Sequence, residues 1–372
     1  MNRLSLLLSL VLALSGFAES RAFRVAAIYP NHTIGHFNCT CGLEGACITE
    51  AAIKRARQEG LNISFTLVNK DWDIFKTIEA AEKVVSQRYD AAVGTLVSGD
   101  ALAAAPILES GGVPFVVPTA TNPGVTAGRK LVTRIPFNDT RQAFLLGRLA
   151  VTELSAKRVV IIRNTSTKYS DYLGTEFGNV IRKLNPEVEI RDYPIVEGFT
   201  DFKGLVERFL STTPDLIFVP IPQSQLASIY VELVNRQAAL TMLASDTIEG
   251  KPKFLEMIAP TSDLIQFVYP KHWDGQYSSP ESARYLSLHN KYCGKYEASM
   301  TTMAAYDAIE LVIRALKSNP NARGKNLIKT IHSLSYFGMT GPIRYGADGD
   351  PIKPIELYRV KGADVVYWRR YE

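Results

Sequence analysis

The chain has 372 residues, more than one hydrophobic core ordinarily organises and about right for two lobes. With 46% hydrophobic and 21% charged residues it is a globular sequence, which excludes a disordered chain. Its net charge of +5 is mild, and no run of Lys or Arg forms a patch, so nothing argues for a nucleic-acid partner.

Residues 1–22 read as a secretory signal. Arg3 supplies the positive start, and Leu4 to Phe17 is an apolar run too short to span a bilayer comfortably. Ser20-Arg21-Ala22 is a small-x-small cleavage site, and Gly16-Phe17-Ala18 is a second. No later segment is apolar enough to cross a membrane, so the mature chain is expected to be soluble and exported. Its four cysteines, Cys39, Cys41, Cys47 and Cys293, permit disulfides in an oxidising compartment. Four cysteines allow three connectivities. The sequence does not choose between them; Cys39 and Cys41 are too close to pair comfortably with each other, so pairing of one of them with Cys47 is an option.

From Phe23 onward, strands and helices alternate. Phe23 to Tyr29 reads as a strand, Asn31 to Gly45 as a long polar loop and Ala46 to Glu59 as a helix. Ile63 to Val68 is a strand, and Asp73 to Ser86 a helix with Ile74, Ile78, Ala81 and Val85 as its apolar face. Ala91 to Val97 is a strand ending at Ser98-Gly99-Asp100, and Ala101 to Glu109 is an alanine-rich helix. Val113 to Val117 is a strand covered on both faces, and Leu131 to Ile135 is a further one. The pattern then repeats. Helices are expected at 140–154, 171–184, 202–210 and 226–237, and strands at 158–162, 188–193, 216–220, 241–244 and 264–268. Helices at 282–296, 303–316 and 327–334 precede a β-rich tail from Gly338 to Trp368.

Such alternation implies parallel sheets with helices on both faces, and right-handed crossovers put every strand's carboxyl end on one edge. Ligands bind beyond that edge. Thr119 and Thr121, set between Pro118 and Pro123, offer hydroxyls and free backbone N–H groups there, a combination that suits a carboxylate.

The tail carries a resemblance. Tyr336-Phe337-Gly338-Met339-Thr340-Gly341-Pro342-Ile343, followed by Gly346-Ala347-Asp348-Gly349-Asp350-Pro351, is similar to the C-terminal signature of type I periplasmic solute-binding proteins of the leucine/isoleucine/valine-binding branch. Arg134-Ile135-Pro136-Phe137-Asn138-Asp139-Thr140-Arg141-Gln142, Pro214 to Phe218 and Ala304 to Ala308 resemble further segments of that family. The resemblance implies an α/β fold of two doubly wound parallel-sheet lobes joined by a three-crossover hinge. Lobe I would be 23–137 plus 271–340, and lobe II 138–270 plus 341–372. It also implies a receptor of an ABC importer for amino acids, located in the periplasm, monomeric, without a cofactor and working with a membrane permease. Ser98, Gly99, Thr119, Ala120 and Thr121 would hold the ligand's carboxylate, Tyr169 would cover it, and Asp246 would take its ammonium. A zwitterion needs an anion site and a cation site about one Cα apart, and placing these on opposite lobes makes the ligand the latch of a hinge closure.

The first loop departs from the family pattern. His32, His36, Cys39, Cys41 and Cys47 lie within a short span and are candidate metal ligands, but their spacing matches no standard zinc motif, and a disulfide-braced loop is the preferred reading. Pro220-Ile221-Pro222-Gln223-Ser224 also replaces a Gly/Tyr-rich turn, which opens the way to an unusual ligand. Trp72 and Trp273 are read as core or rim residues and Tyr306 as core. Two alternatives stand: a ligand-sensing receptor of the same fold acting through a membrane partner, and a binder of a carboxylate or metal-linked solute. No Gly-x-Ser-x-Gly elbow, His-Glu-x-x-His, P-loop or Gly-x-Gly-x-x-Gly occurs, so an enzyme is not expected.

Overall fold

The computed structural model of the chain describes residues 21–31, 40–249, 252–272, 279–346 and 349–372. In chain order the first elements are β1 (Phe23–Tyr29), α1 (Cys41–Gln58), β2 (Ile63–Asn69), α2 (Ile74–Ser86), β3 (Ala91–Gly94), α3 (Ser98–Ser110), β4 (Phe115–Val117) and β5 (Val132–Arg134). There follow α4 (Asp139–Arg148), β6 (Arg158–Asn164), α5 (Lys168–Leu184), β7 (Glu189–Ile195), α6 (Phe202–Leu210), β8 (Leu216–Val219), α7 (Gln223–Asn235), β9 (Leu240–Ala244), α8 (Pro252–Ile258) and β10 (Ile265–Lys271). The last are α9 (Pro280–Leu288), α10 (Met300–Ser318), α11 (Gly324–Ser333), β11 (Tyr336–Gly338), β12 (Gly341–Ile343), β13 (Ile355–Lys361) and β14 (Asp364–Tyr371).

Strand order is β2-β1-β3-β4-β5 in one sheet, all parallel, and β14-β13-β10-β9-β8-β6-β7 in the other. The second sheet is parallel except at one edge, where β13 runs antiparallel to both β10 and β14. Each sheet is packed on both faces. Helices α1, α10 and α11 and the Met339–Ile343 segment cover one face of the first sheet, and α2 and α3 cover the other. Helices α6, α7 and α8 cover one face of the second sheet, and α4 and α5 cover the other. Strands buried on two faces read as continuous apolar runs, and β1, β4 and β8 do. The chain passes from one sheet to the other between β5 and α4, between β10 and α9, and between β12 and β13.

Side-chain caps set several helix starts. Asp73 accepts from the amides of Phe75 and Lys76 ahead of α2, Asn138 caps α4, and Ser299 forms a capping box with Thr302 at α10.

Three expectations need correction. Helix α1 starts at Cys41, not Ala46, so the first loop is shorter than the sequence suggested. In α2, Ala81 is buried as expected and Val85 packs at the edge of the core, but the fully buried positions are Thr77, Ala80, Ala81 and Val84, and Ile74 lies exposed. The option of pairing Cys47 with Cys39 or Cys41 is not taken up: Cys47 bonds Cys293, tying α1 to the π-turn after α9 across 246 residues. Cys41 is disulfide-bonded as well. Neither Cys41 nor Cys47 is therefore a free thiolate for a metal; His32, His36 and Cys39 lie outside the described residues, as does Trp273.

Candidate functional site

The loops beyond the carboxyl ends of β3 and β4 are laced together by their own hydroxyls. The Thr119 hydroxyl donates to the Leu96 carbonyl at 2.7 Å, and the Asn122 amide donates to the Ser98 hydroxyl at 3.3 Å. Ser98 opens α3 without capping it. Ser98, Ala120 and Thr121 are buried, Thr119 is half-buried, and Gly99 faces open space on its Cβ side.

Arg134, at the end of β5, holds this loop in shape. Its guanidinium is completely buried and donates to the carbonyls of Ala120 (3.2 Å), Asn122 (2.9 Å) and Pro123 (3.3 Å), to the Thr126 hydroxyl (2.5 Å) and to Asp350 (2.8 Å). Asp350 also accepts from the Asn138 side chain at 2.6 Å, so the first and third passages between the sheets meet on one carboxylate. Phe137 and His272, from the first and second passages, stack with ring centroids 3.8 Å apart.

The second sheet presents Tyr169 and Asp246 beyond the ends of β6 and β9. The two meet: the Tyr169 hydroxyl donates to Asp246. The same carboxylate accepts from the Gln142 side chain at 3.0 Å and lies 3.0 Å from His272 Nε2, and the Asp246 amide donates back to Gln142 at 3.2 Å. Burial pushes the Asp246 carboxyl up, but the His272, Tyr169 and Gln142 interactions together outweigh it and hold it below the ordinary value. Tyr169 is held well above its ordinary range by burial and by the charges of Asp246 and Asp139.

The two halves approach each other at this point. The Asn122 side chain, next to Thr121, donates to the Lys168 carbonyl, next to Tyr169, at 3.0 Å. Asp139, the first residue of α4, is completely buried beside Thr121, whose carbonyl accepts from the Asp139 amide at 2.9 Å. Burial, and then the negative charge of Asp246, push its carboxyl well above the usual range, while the Thr121 hydroxyl and Arg134 pull the other way.

All the expected ligand residues thus lie in the segments that follow the carboxyl ends of strands, Ser98 and Gly99 in the first turn of α3 and Tyr169 in that of α5. Thr121 and Tyr169–Asp246 are brought to the same junction, while Gly99 stands apart from these bonds. The sequence reading missed Asn122, Asp139, Gln142 and His272 as members of this network. The signal for Gln142 was present in the Asp139-Thr140-Arg141-Gln142 turn. His272 was hidden because β10 continues to Lys271 and not, as expected, to Val268. Tyr306 is core, its hydroxyl donating to Glu281 at 2.6 Å. Lys70 Nζ lies 5.2 Å from the Trp72 ring centroid and pairs with Asp100 at 2.6 Å. Among the described residues no cluster of His, Cys, Asp and Glu is arranged to hold a metal, and no helix is long and apolar enough to cross a membrane. A surface recess of about 910 Å³ opens elsewhere, beside α4 and α5, and none of the expected ligand residues lines it.

Comparison with known proteins places this architecture. A family model described as "Periplasmic binding protein" matches residues 45–364, and the chain belongs to that family, whose fold is that of a solute-binding receptor. The Leu/Ile/Val-binding protein of Citrobacter freundii is 24% identical over 217 residues, covering 54% of this chain and 59% of that relative. The structure of a leucine-binding protein, LivK, from Thermotoga maritima superimposes with a TM-score of 0.79 at 24% identity, covering 94% of this chain and 98% of that one. A solute-binding protein of an ABC transporter from R. palustris, solved with benzoate, has a TM-score of 0.76 at 19% identity, covering 94% and 96%.

Proposed function

We propose that this chain is the exported, periplasmic substrate-binding protein of an ABC importer, taking a small carboxylate-bearing solute between its two lobes by hinge closure and without catalysis. The lobes proposed are 23–137 with 271–340, and 138–270 with 341–372. The observation that carries the reading is the junction at Asn122 and Lys168: loops from the carboxyl ends of two parallel sheets meet there, with Thr121 on one side and Tyr169 and Asp246 on the other. Such a crevice is where open α/β sheets bind ligands. In this reading Ser98, Gly99, Thr119, Ala120 and Thr121 serve the carboxylate, and Asp246 an ammonium. An amino acid follows from the relatives named for Leu, Ile and Val.

One observation favours a second ligand class. Asp246 already accepts from Tyr169 and Gln142 and pairs with His272, so an incoming ammonium has to displace or share these donors. An aromatic acid such as benzoate, with which the R. palustris neighbour was solved in complex, needs no cation site. Isothermal titration with leucine, isoleucine, valine, benzoate and 4-hydroxybenzoate separates the two. Saturable 1:1 binding of an amino acid supports the first, and binding of a benzoate alone supports the second. No binding across the panel counts against both.

A further inference from the structure

We infer that removal of the leader cuts this chain between Ala18 and Glu19, so that the mature protein keeps Arg21 as part of its fold. The inference rests on the export reading above. The sequence offers two small-x-small triplets, Gly16-Phe17-Ala18 and Ser20-Arg21-Ala22, and both meet the small-residue requirement of a leader peptidase. They differ in what each cut leaves behind. A cut after Ala18 leaves Glu19-Ser20-Arg21-Ala22 ahead of β1, whereas a cut after Ala22 makes Phe23, the first residue of β1, the new terminus. In either case water adds across the amide and the C–N bond breaks. The upstream residue leaves as a carboxylate, and the downstream nitrogen becomes an ammonium.

Two sets of contacts favour the first cut. The Arg21 guanidinium donates from its two Nη atoms to the two oxygens of Asp90, each at 2.7 Å, the paired geometry that makes such bonds strong. Asp90 immediately precedes β3, and its side chain is 5% exposed. The same carboxylate accepts from the Arg24 amide at 2.8 Å, and the Asp90 amide donates to the Arg24 carbonyl at 2.9 Å. Arg21 thus clamps the head of β1 to the head of β3, and Arg323 Nε lies 3.3 Å from the same carboxylate. Loss of residues 19–22 would leave that shielded charge to Arg323 and one amide. The second set is at Phe23, which is 2% exposed and whose amide donates to the Asn62 carbonyl at 2.8 Å where β1 begins to pair with β2. As a terminus this nitrogen would carry a positive charge in a shielded place, and a shielded charge needs a partner of opposite sign. It faces β2, while Asp90 lies on the β3 side and is bound by the amide of the next residue. Arg323, with its guanidinium carbon 4.5 Å from the Phe23 ring centroid, adds a like charge instead. With Ala22 in place the Phe23 nitrogen stays a neutral amide.

The test is to express the full chain, leader included, in a Gram-negative host and to read the start of the periplasmic product by N-terminal sequencing and intact mass. Ala18→Arg and Ala22→Arg are run beside the parent, since a large charged residue next to the scissile bond fails the small-residue requirement. The parent product is expected to begin Glu19-Ser20-Arg21-Ala22. Ala22→Arg should still be cut before Glu19, and Ala18→Arg should lose that cut. A parent product that begins Phe23-Arg24-Val25-Ala26, or at any residue other than Glu19, overturns the inference and leaves the export reading standing. The same holds if Ala22→Arg blocks processing while Ala18→Arg is processed like the parent. A chain that stays uncleaved and does not reach the periplasm overturns the inference and the export reading together.

Discussion

Replacing Arg134 by Met should unfold the chain far more easily than its position at a strand end suggests. The guanidinium has no exposed surface and bonds Asp350, three carbonyls and a hydroxyl. Removing one member of a buried ion pair costs about 3–5 kcal/mol, because the other charge stays behind. Here Asp350 keeps Thr126 and Asn138 as donors, which trims that figure. The carbonyls of Ala120 and Asn122, in residues 2% and 7% exposed, each lose a donor that water replaces poorly, at about 1 kcal/mol or more apiece. Met restores some apolar contact. The net expectation is about 4–5 kcal/mol. Urea unfolding followed by circular dichroism measures it, together with Asp350→Asn and the double variant. The paired sites should show a coupling energy of at least about 1 kcal/mol. A loss below about 1 kcal/mol for Arg134→Met, or strict additivity with Asp350→Asn, would refute the claim that this ion pair holds the 120–126 loop to the third passage.

Other outcomes follow from single contacts. Glu310, paired with Arg55, is pushed up to about 7, chiefly by burial. A carboxyl raised on folding stabilises below its unfolded pKa and loses that contribution as pH rises through the folded one. The chain should therefore lose on the order of 3 kcal/mol from this group between about pH 4.5 and 7, and melts of the parent and Glu310→Gln at pH 5 and pH 8 read the difference. The Cys47–Cys293 bond closes a loop of 246 residues, worth about 5 kcal/mol on a chain-entropy basis, so Cys47→Ala with Cys293→Ala should lower the urea midpoint markedly. In the crevice, Asp246→Asn and Thr121→Val should each weaken the ligand that the titration panel identifies. Asp246→Asn should be the larger for an amino acid, by on the order of 2–5 kcal/mol, and the smaller for an aromatic acid.

Much of this architecture was legible in the sequence because parallel strands covered on both faces leave continuous apolar runs, and β1, β4 and β8 are such runs. The strand-end loops followed from the same alternation, and with them Ser98, Thr119 and Thr121. What was not legible is contact made across long separations. Nothing local to Cys47 points to Cys293, and the partners of Asp246, namely Gln142, Tyr169 and His272, come from three different elements. The π-turns at Leu149–Glu153 and His289–Cys293 were read as plain helix because the apolar period barely changes there. On α2 the sequence pointed to Ala81 and Val85 but not to Thr77, Ala80 and Val84, which are the other positions the structure buries.

The central claim is that one solute bridges both lobes at the Asn122–Lys168 junction. Hydrogen exchange, measured with and without saturating leucine, isoleucine, valine, benzoate and 4-hydroxybenzoate, tests it most directly. The account predicts that at least one compound slows exchange both in 95–99 and 119–126 and in 165–170 and 245–249. Protection confined to one of these sides, or no protection at either with any compound, would contradict it.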